Sequence, residues 1–524
     1  MSPSASLGST GPAVEGDASV SFVSSQHQRH TSEEPLLPPL QHEGITTPTP
    51  PLKAWSLAVI IFYAVSGGPF GIEPTIRAGG NFAAIMGFAL FPFVYSIPEA
   101  FVTAELGSAF HCPSGGVAWV EEAFGESMGF LCGWLSWIAG ATDNAIYPTL
   151  FLEYLGSVLG YKDENNSEDV LNGWARFACV SGITVILSLL NYRGLDIVGN
   201  TSLLVCVIAI SPFVLMMMIG TPKIVPSRWL QMPESNATYN ELFDDAFETS
   251  PGPLPYVTLG RILWRPYLNN LFWNLNSFDS SASFATETDC VKKTYTRGIF
   301  LALFMVIICY IAPVLVLVGA TDYTQSEWVD GHIGAAAIDI GGSWLGAWTV
   351  FAAGISSLAQ FEAEMSSDAF MLMGMAERGY LPEVFKMRSK YGTPTAGIVV
   401  GTAVIISFGW ADFGQLLELL NANYALSLLL EYAAFVKLRH SRREMDRPYR
   451  IPISDRASFM VVLPPTLGVI LFFLVSNWYV YLFCGMSVLA GFAVVKIGKR
   501  AQLFGHLPAQ HFDEHSHASL PRVL

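Results

Sequence analysis

Charge is what this 524-residue sequence has least of: 14% of it is Asp, Glu, Lys or Arg, against about a quarter in ordinary soluble domains. With 52% apolar residues, that shortage points to a polytopic membrane protein rather than a water-soluble chain. The 28 basic and 43 acidic residues leave a net charge of −15, which argues against nucleic-acid binding and suits cationic partners. Histidine is missing from the long apolar runs: His111, His332 and His440, like the others, fall in tails or between runs. That excludes a zinc-hydrolase motif and a histidine proton relay within a bilayer. The seven cysteines (Cys112, Cys132, Cys179, Cys206, Cys290, Cys309, Cys484) include no Cys-x-x-Cys pair, so no metal site, disulfide framework or cofactor is expected. No apolar run offers a nucleophile with a base beside it, which makes an integral-membrane enzyme the least favoured class. A basic stretch leading into an apolar core is also missing, so no cleavable signal peptide is expected.

What is present is a succession of apolar segments. Residues 1–52, rich in Ser, Pro, Gln and His, read as a disordered cytoplasmic tail, and 499–524 as another. Residues 53–498 between them form the membrane domain. At about 20 residues per crossing, it reads as an all-α array of about twelve transmembrane helices. Six are Ala54–Ile76, Ala83–Leu106, Phe130–Val158, Trp174–Leu190, Ile197–Ile219 and Tyr267–Phe284. The others are Ile299–Val318, Trp344–Met375, Pro394–Trp410, Leu416–Phe435, Phe459–Val475 and Trp478–Ile497. Ten of them make a core over about 54–435, and two more follow over about 459–497.

Basic residues in short loops set the orientation. One side collects Lys292, Lys293, Arg297, Arg378, Lys386, Arg388 and Lys390, then Lys437 to Arg450, then Lys496, Lys499 and Arg500. That side is expected to be cytoplasmic, with both termini on it. The opposite loops carry Lys162, Lys223, Arg228, Arg261 and Arg265 among many acids, and Thr321–Gly342 has no Lys or Arg. The glycosylation sequons at Asn165 and Asn236 fall in loops expected to lie outside.

Two spans are interrupted. The first contains SGGPFG, Ser66 to Gly71, where paired glycines and a proline should unwind the helix. Bare backbone at that depth survives only where it is buried in protein or lines a wet site, so Gly67 and Gly68 are candidate close-approach points for a substrate. The sixth reads LFWNLNSFDSSAS, Leu271 to Ser283, with Asn274, Asn276, Ser277 and Asp279 where lipid would demand apolar residues. Breaks in the first and sixth spans fit an inverted five-plus-five repeat with its binding site at the midplane.

No Lys or Arg lies deep in any expected span, whereas Glu73, Glu99, Asp143, Asp279, Glu362, Glu364, Glu418 and Glu431 do. An ionised carboxylate there costs at least about 2.5–3.5 kcal/mol. Each acid must therefore be protonated, hydrated or neutralised by an arriving cation. Asp143 is central in the third span with Tyr147 one turn on, a hydroxyl and a ring suited to a cation. Glu418, Asn421 and Tyr424 share a face of the tenth span, and Trp273 and Phe70 could wall an apolar slot. Glu105, Glu364 and Glu431 sit nearer cytoplasmic ends and read as solvated or structural.

SGGPFGIE (Ser66–Glu73), IPEAFVTAELG (Ile97–Gly107), DNAIYPTLFLEYL (Asp143–Leu155), FWNLNSFDS (Phe272–Ser280), GMAERGYLP (Gly374–Pro382) and RPYRIP (Arg447–Pro452) together resemble the plant and protozoan polyamine transporters of the amino acid-polyamine-organocation superfamily. The similarity runs from about Lys53 to Gly498. It implies a LeuT-like fold with broken helices 1 and 6, and alternating-access import of putrescine, spermidine or spermine with proton coupling, at the plasma membrane or an endomembrane. It also implies that Gly67, Gly68, Asp143, Tyr147, Trp273, Asn274, Asn276, Asp279 and Tyr424 surround the substrate. Glu99, Asp143 and Glu418 are the candidates for carrying the proton. The loop Thr221–Pro266 and Ser277 depart from the plant pattern, which leaves substrate preference open. The alternatives are an amino-acid permease, whose substrate carboxylate would need backbone amides at the first break, and a non-transporting receptor.

Overall fold

Two interrupted helices organise the array. The computed structural model describes residues 53–110, 114–159, 173–194, 202–234, 238–243, 252–287 and 291–501. Residues 1–52, nearly all of the second tail and the sequons at Asn165 and Asn236 lie outside that set. Helix α1 (Ala54–Ser66) stops at Gly67, whose φ of +58° is left-handed and whose amide bonds back to Tyr63 O. The chain stays non-helical until α2 (Glu73–Val94). Gly80, at φ +68° and ψ 178°, ends this first crossing within α2. Its neighbours Ala78, Asn81 and Phe82 bond to Leu263, Arg228 and Gln231 of the Thr221–Pro266 connection. The second crossing continues through a turn at Tyr95 into α3 (Ser96–Phe110).

Then come α4 (Gly116–Phe124), α5 (Glu126–Leu159), α6 (Gly173–Tyr192) and α7 (Ser202–Gly220). The sixth crossing starts as α8 (Trp264–Asn274), breaks over Leu275–Ser277 and resumes as a 3₁₀ segment, Phe278–Glu287. The rest is α9 (Thr296–Ala320), α10 (Ile333–Gly341), α11 (Ser343–Glu377), α12 (Thr395–Ser407), α13 (Phe413–Ser441), α14 (Phe459–Val475) and α15 (Trp478–Ala501). Within the described residues, every expected span coincides with a helix or a broken helix, with ends displaced by a few residues.

Among the described residues, seven helical stretches are long and apolar enough to cross a membrane, and Ala54–Ser66 and Thr395–Ser407 are shorter apolar helices. Helices α5 and α11 are also long, at 34 and 35 residues, but acids such as Asp143, Glu362, Glu364 and Asp368 dilute their apolar character. Sequence reading did not separate out α4 and α10, since nine residues are too few to cross and carry no signal in a window of about 20.

Packing follows from the breaks. Helix α1 lies against the 3₁₀ segment Phe278–Glu287, while α2 lies against α8. The first half of each broken helix therefore meets the second half of the other, as an inverted repeat requires. Helix α5 packs along both α11 and α13 beside this pair. Small residues allow the approach: a Cβ on Gly298 would fall 2.7 Å from Leu57, and one on Gly397 2.8 Å from the Ala369 backbone. Leu467, Leu474, Leu489 and Phe492 leave the outer faces of α14 and α15 apolar and exposed, suited to lipid.

Candidate functional site

Side chains from other helices close the first break. Ser356 Oγ donates to Gly67 O at 2.7 Å, and Tyr63 OH to Ser356 O at 3.1 Å. The Tyr310 hydroxyl reaches the carbonyls of Ser66 and Gly68 at 3.3 and 3.4 Å, and Asn270 Nδ2 donates to Gly71 O at 2.7 Å. Gly67 leaves no room for a side chain, since a Cβ would stand 2.0 Å from Gln360 Nε2. The carbonyls of Ser66, Gly67, Gly68 and Gly71 thus lie within reach of protein donors, with the one Tyr310 proton shared between two of them.

Next to it lies a carboxylate held by two aromatic residues. Asp143 Oδ2 accepts from Tyr147 OH at 3.1 Å, and Oδ1 accepts from Trp273 Nε1 at 2.9 Å. The indole stands edge-on to Phe413, ring centres 5.5 Å apart, and a Cβ on Gly71 would sit 2.9 Å from it. One partly buried acid therefore ties α5 to the end of α8 where the two breaks meet. Glu364 on α11 is in electrostatic reach of both Asp143 and Asp279. Asp368, one turn further on α11, packs into the space left by Gly140.

The second break builds another acidic group. Ser277 there has φ +72°, a conformation that costs a non-glycine residue about 1–2 kcal/mol, and its hydroxyl donates to Asn276 Oδ1 at 2.8 Å. Beyond the turn, the Asp279 amide donates to Glu99 Oε1 at 3.3 Å. The Tyr424 hydroxyl contacts that oxygen at 3.1 Å and also Asp279 Oδ1. A phenol has one proton for these two acceptors, and Glu99 Oε2 is buried without a partner. Glu431 lies within electrostatic reach of Asp279 and Glu99, and Cys132 Sγ is 3.8 Å from its Oε1. Glu431 and Glu99 are fully enclosed rather than solvated.

Other membrane acids do have cationic partners. Glu105, fully buried, takes Arg439 and Arg447, which makes it structural and not solvated. Glu418 meets Arg265 at 3.1 Å and accepts from Tyr479 OH at 2.6 Å. Among the described residues, no Lys or Arg pairs with Asp143, Glu99, Asp279, Glu364, Asp368 or Glu431. No cluster of His, Cys, Asp or Glu there is arranged for a metal ion.

The profile of the family described as amino acid permease matches residues 52–497. The chain belongs to that family. The permease is 41% identical over 450 residues to a probable polyamine transporter of Arabidopsis thaliana, covering 85% of this chain and 87% of that one. It is 40% identical over 473 residues to the polyamine transporter RMV1 of the same plant, covering 89% and 88%. With the polyamine transporter PUT1 of Oryza sativa subsp. japonica it shares 40% over 411 residues, covering 78% and 71%.

In the permease, the expected site residues divide. Asp143, Tyr147 and Trp273 come together beside the first break, and Asp279, Tyr424 and Glu99 beside the second. Asn274 turns back to Asn270 O within its own helix, at 2.8 Å, and Asn276 is buried. Glu418, Asn421 and Tyr424 do share a face, and that face runs along the sixth crossing through Arg265, Asn269 and Asp279 in turn. Arg265 reads as a loop residue in sequence, because it precedes the apolar run. It lies instead in the first turn of α8, buried, with Tyr239 and Tyr256 about its guanidinium at 5.1 and 5.2 Å. Phe70 packs edge-on against Tyr154 and Phe213, not against Trp273. Sequence reading missed Tyr310, Ser356, Gln360 and Asp368, since buried polar residues on long helices show no motif. Spacing from Glu364 to Asp368, one turn apart, was the only available signal.

Proposed function

We propose that the permease imports polyamines by alternating access, with the substrate between the two broken helices. The observation that carries this reading is the set of carboxylates around both breaks without a cationic side chain among them. Burial of several like charges is tolerable only if protons or an incoming cation neutralise them. A slender chain of ammonium groups and methylenes matches acids spaced along a path: Asp143 with Trp273 and Tyr147, then Glu364, then Asp279 with Glu99 and Tyr424. Aromatic faces suit the methylenes and the cation alike. The plant relatives, named as polyamine transporters, support the same substrate class.

Proton coupling is part of the proposal. Glu99, whose second oxygen has no partner, and Asp143 are the groups that would exchange a proton for an ammonium. Glu418 is a poorer carrier than the sequence suggests, because Arg265 already neutralises it. The basic loops support a cytoplasmic location for both termini, and the plasma membrane is the proposed location. Residues 1–52 and 499–524 are proposed as cytoplasmic tails around a transporter domain at 53–498, and Asn165 and Asn236 as glycosylated positions outside.

The test is an uptake panel of labelled putrescine, spermidine, spermine, leucine and arginine at two pH values. Saturable polyamine uptake that amino acids do not compete with is the expected result. Flux at clamped voltage that ignores collapse of the pH gradient would remove the proton from the mechanism.

A further inference from the structure

A carrier of amines built on the frame of an amino acid permease must keep out amino acids, which carry the same ammonium group. Their distinguishing feature is a carboxylate, and a broken helix receives a carboxylate through free amides and the positive start of the half-helix. In this chain that end is already occupied. Glu73 is the first residue of α2 and is completely buried. Its Oε1 accepts from Tyr154 OH at 3.0 Å and lies 3.4 Å from the Ile333 amide. The same Tyr154 hydroxyl accepts from the Gly71 amide at 3.1 Å, so a continuous relay runs from the break to Glu73. Nearby amides are also taken: Gly67 N bonds Tyr63 O, Gly68 N bonds Ser66 Oγ and Thr75 N bonds Ile72 O. Pro69 and Pro74 have no amide to offer.

We infer that Glu73 is a specificity-determining residue, a built-in carboxylate that stands where a substrate carboxylate would otherwise bind and thereby excludes amino acids while admitting amines. The inference rests on the polyamine reading. Two effects combine. The Gly71 amide, the Tyr154 hydroxyl and the Ile333 amide are already engaged in the relay to Glu73, so an arriving carboxylate would lose its water and gain little from them. When Glu73 is ionised, its charge also repels an arriving carboxylate at close range in a poorly screened interior. A diamine loses neither way.

The experiment compares putrescine with ornithine, which is putrescine bearing an α-carboxylate. Putrescine uptake and its inhibition by ornithine are measured in cells for the full chain and for Glu73→Gln, Glu73→Ala and Tyr154→Phe. In the unaltered protein, ornithine should compete poorly. In the Glu73 variants it should compete about tenfold better, the order of effect of one charge at a helix terminus, with the putrescine KM unchanged within about threefold. Tyr154→Phe, which frees the Gly71 amide but keeps the charge, should give a smaller change in the same direction. Unchanged exclusion of ornithine in transporting Glu73 variants overturns the inference. So does a putrescine KM raised more than about tenfold with ornithine still excluded, which would make Glu73 an ammonium ligand. If neither Glu73 variant reaches the membrane, Tyr154→Phe decides alone, and unaltered exclusion there overturns it. Failure of the polyamine reading shows separately, as ornithine uptake equal to that of putrescine in the unaltered protein.

Discussion

At the scale of single residues, the decisive distinction is between acids that have a cation and acids that do not. Asp143 is held by neutral donors only, so Asp143→Asn keeps its shape and loses its charge. Removing one partner of a buried charge pair costs about 2–5 kcal/mol, and uptake of labelled putrescine should fall roughly 30-fold or more while surface expression holds. Asp279→Asn should act similarly, and normal uptake in both variants would end the carboxylate reading. Glu418→Gln should behave differently. It removes the carboxylate that meets the buried Arg265 guanidinium at 3.1 Å, at a cost of about 3–5 kcal/mol, so a lowered melting temperature of the purified protein is expected. Combining it with Arg265→Met should recover much of that loss. If Glu418→Gln leaves stability intact and abolishes only the pH dependence of uptake, Glu418 is the proton carrier after all.

At the scale of elements, the two breaks are held by opposite means. The first uses glycines and borrowed donors. Gly67→Ala brings a Cβ onto Gln360 at φ +58°, so transport should be lost with reduced protein at the surface. The second break forces Ser277 into a left-handed turn at φ +72°. Ser277→Gly should remove about 1 kcal/mol of strain and raise the melting temperature of the purified protein; a lower one would mean that the Ser277 bond to Asn276 outweighs the strain. The connection after α13 is fastened differently again. Arg439 and Arg447 bring the RPYRIP segment onto Glu105, and the Ile451 amide donates to the same carboxylate at 2.9 Å.

At the scale of the whole molecule, the cargo's charge couples transport to membrane voltage. A trivalent polyamine entering gains about 7 kcal/mol at 100 mV, from roughly 2.3 kcal/mol per charge. Uptake of spermidine should therefore rise with inside-negative potential more steeply than that of putrescine, measured in vesicles at set potassium diffusion potentials. Equal voltage dependence for both would mean that compensating charges move with them. The proposed topology has its own check: labelling at Lys386 from outside intact cells would invert it.

The sequence by itself determined the class, the spans, the positions of both breaks and the excess of acid over base in the membrane. Apolar length and backbone-breaking residues are local properties, and they act before any helix meets another. Only the tertiary structure decided which acids are neutralised. Arg265 and Glu418 lie far apart in the chain and are joined by the packing of α8 on α13, which turned a candidate proton carrier into an ion pair. Packing likewise brought donors from α8, α9 and α11 to carbonyls of the first break. It also placed Glu73, one acid among several in the sequence, against Tyr154 at the start of a half-helix. Partnership depends on which faces meet, and helix faces are chosen by the packing of the entire array rather than by the order of residues along any one span.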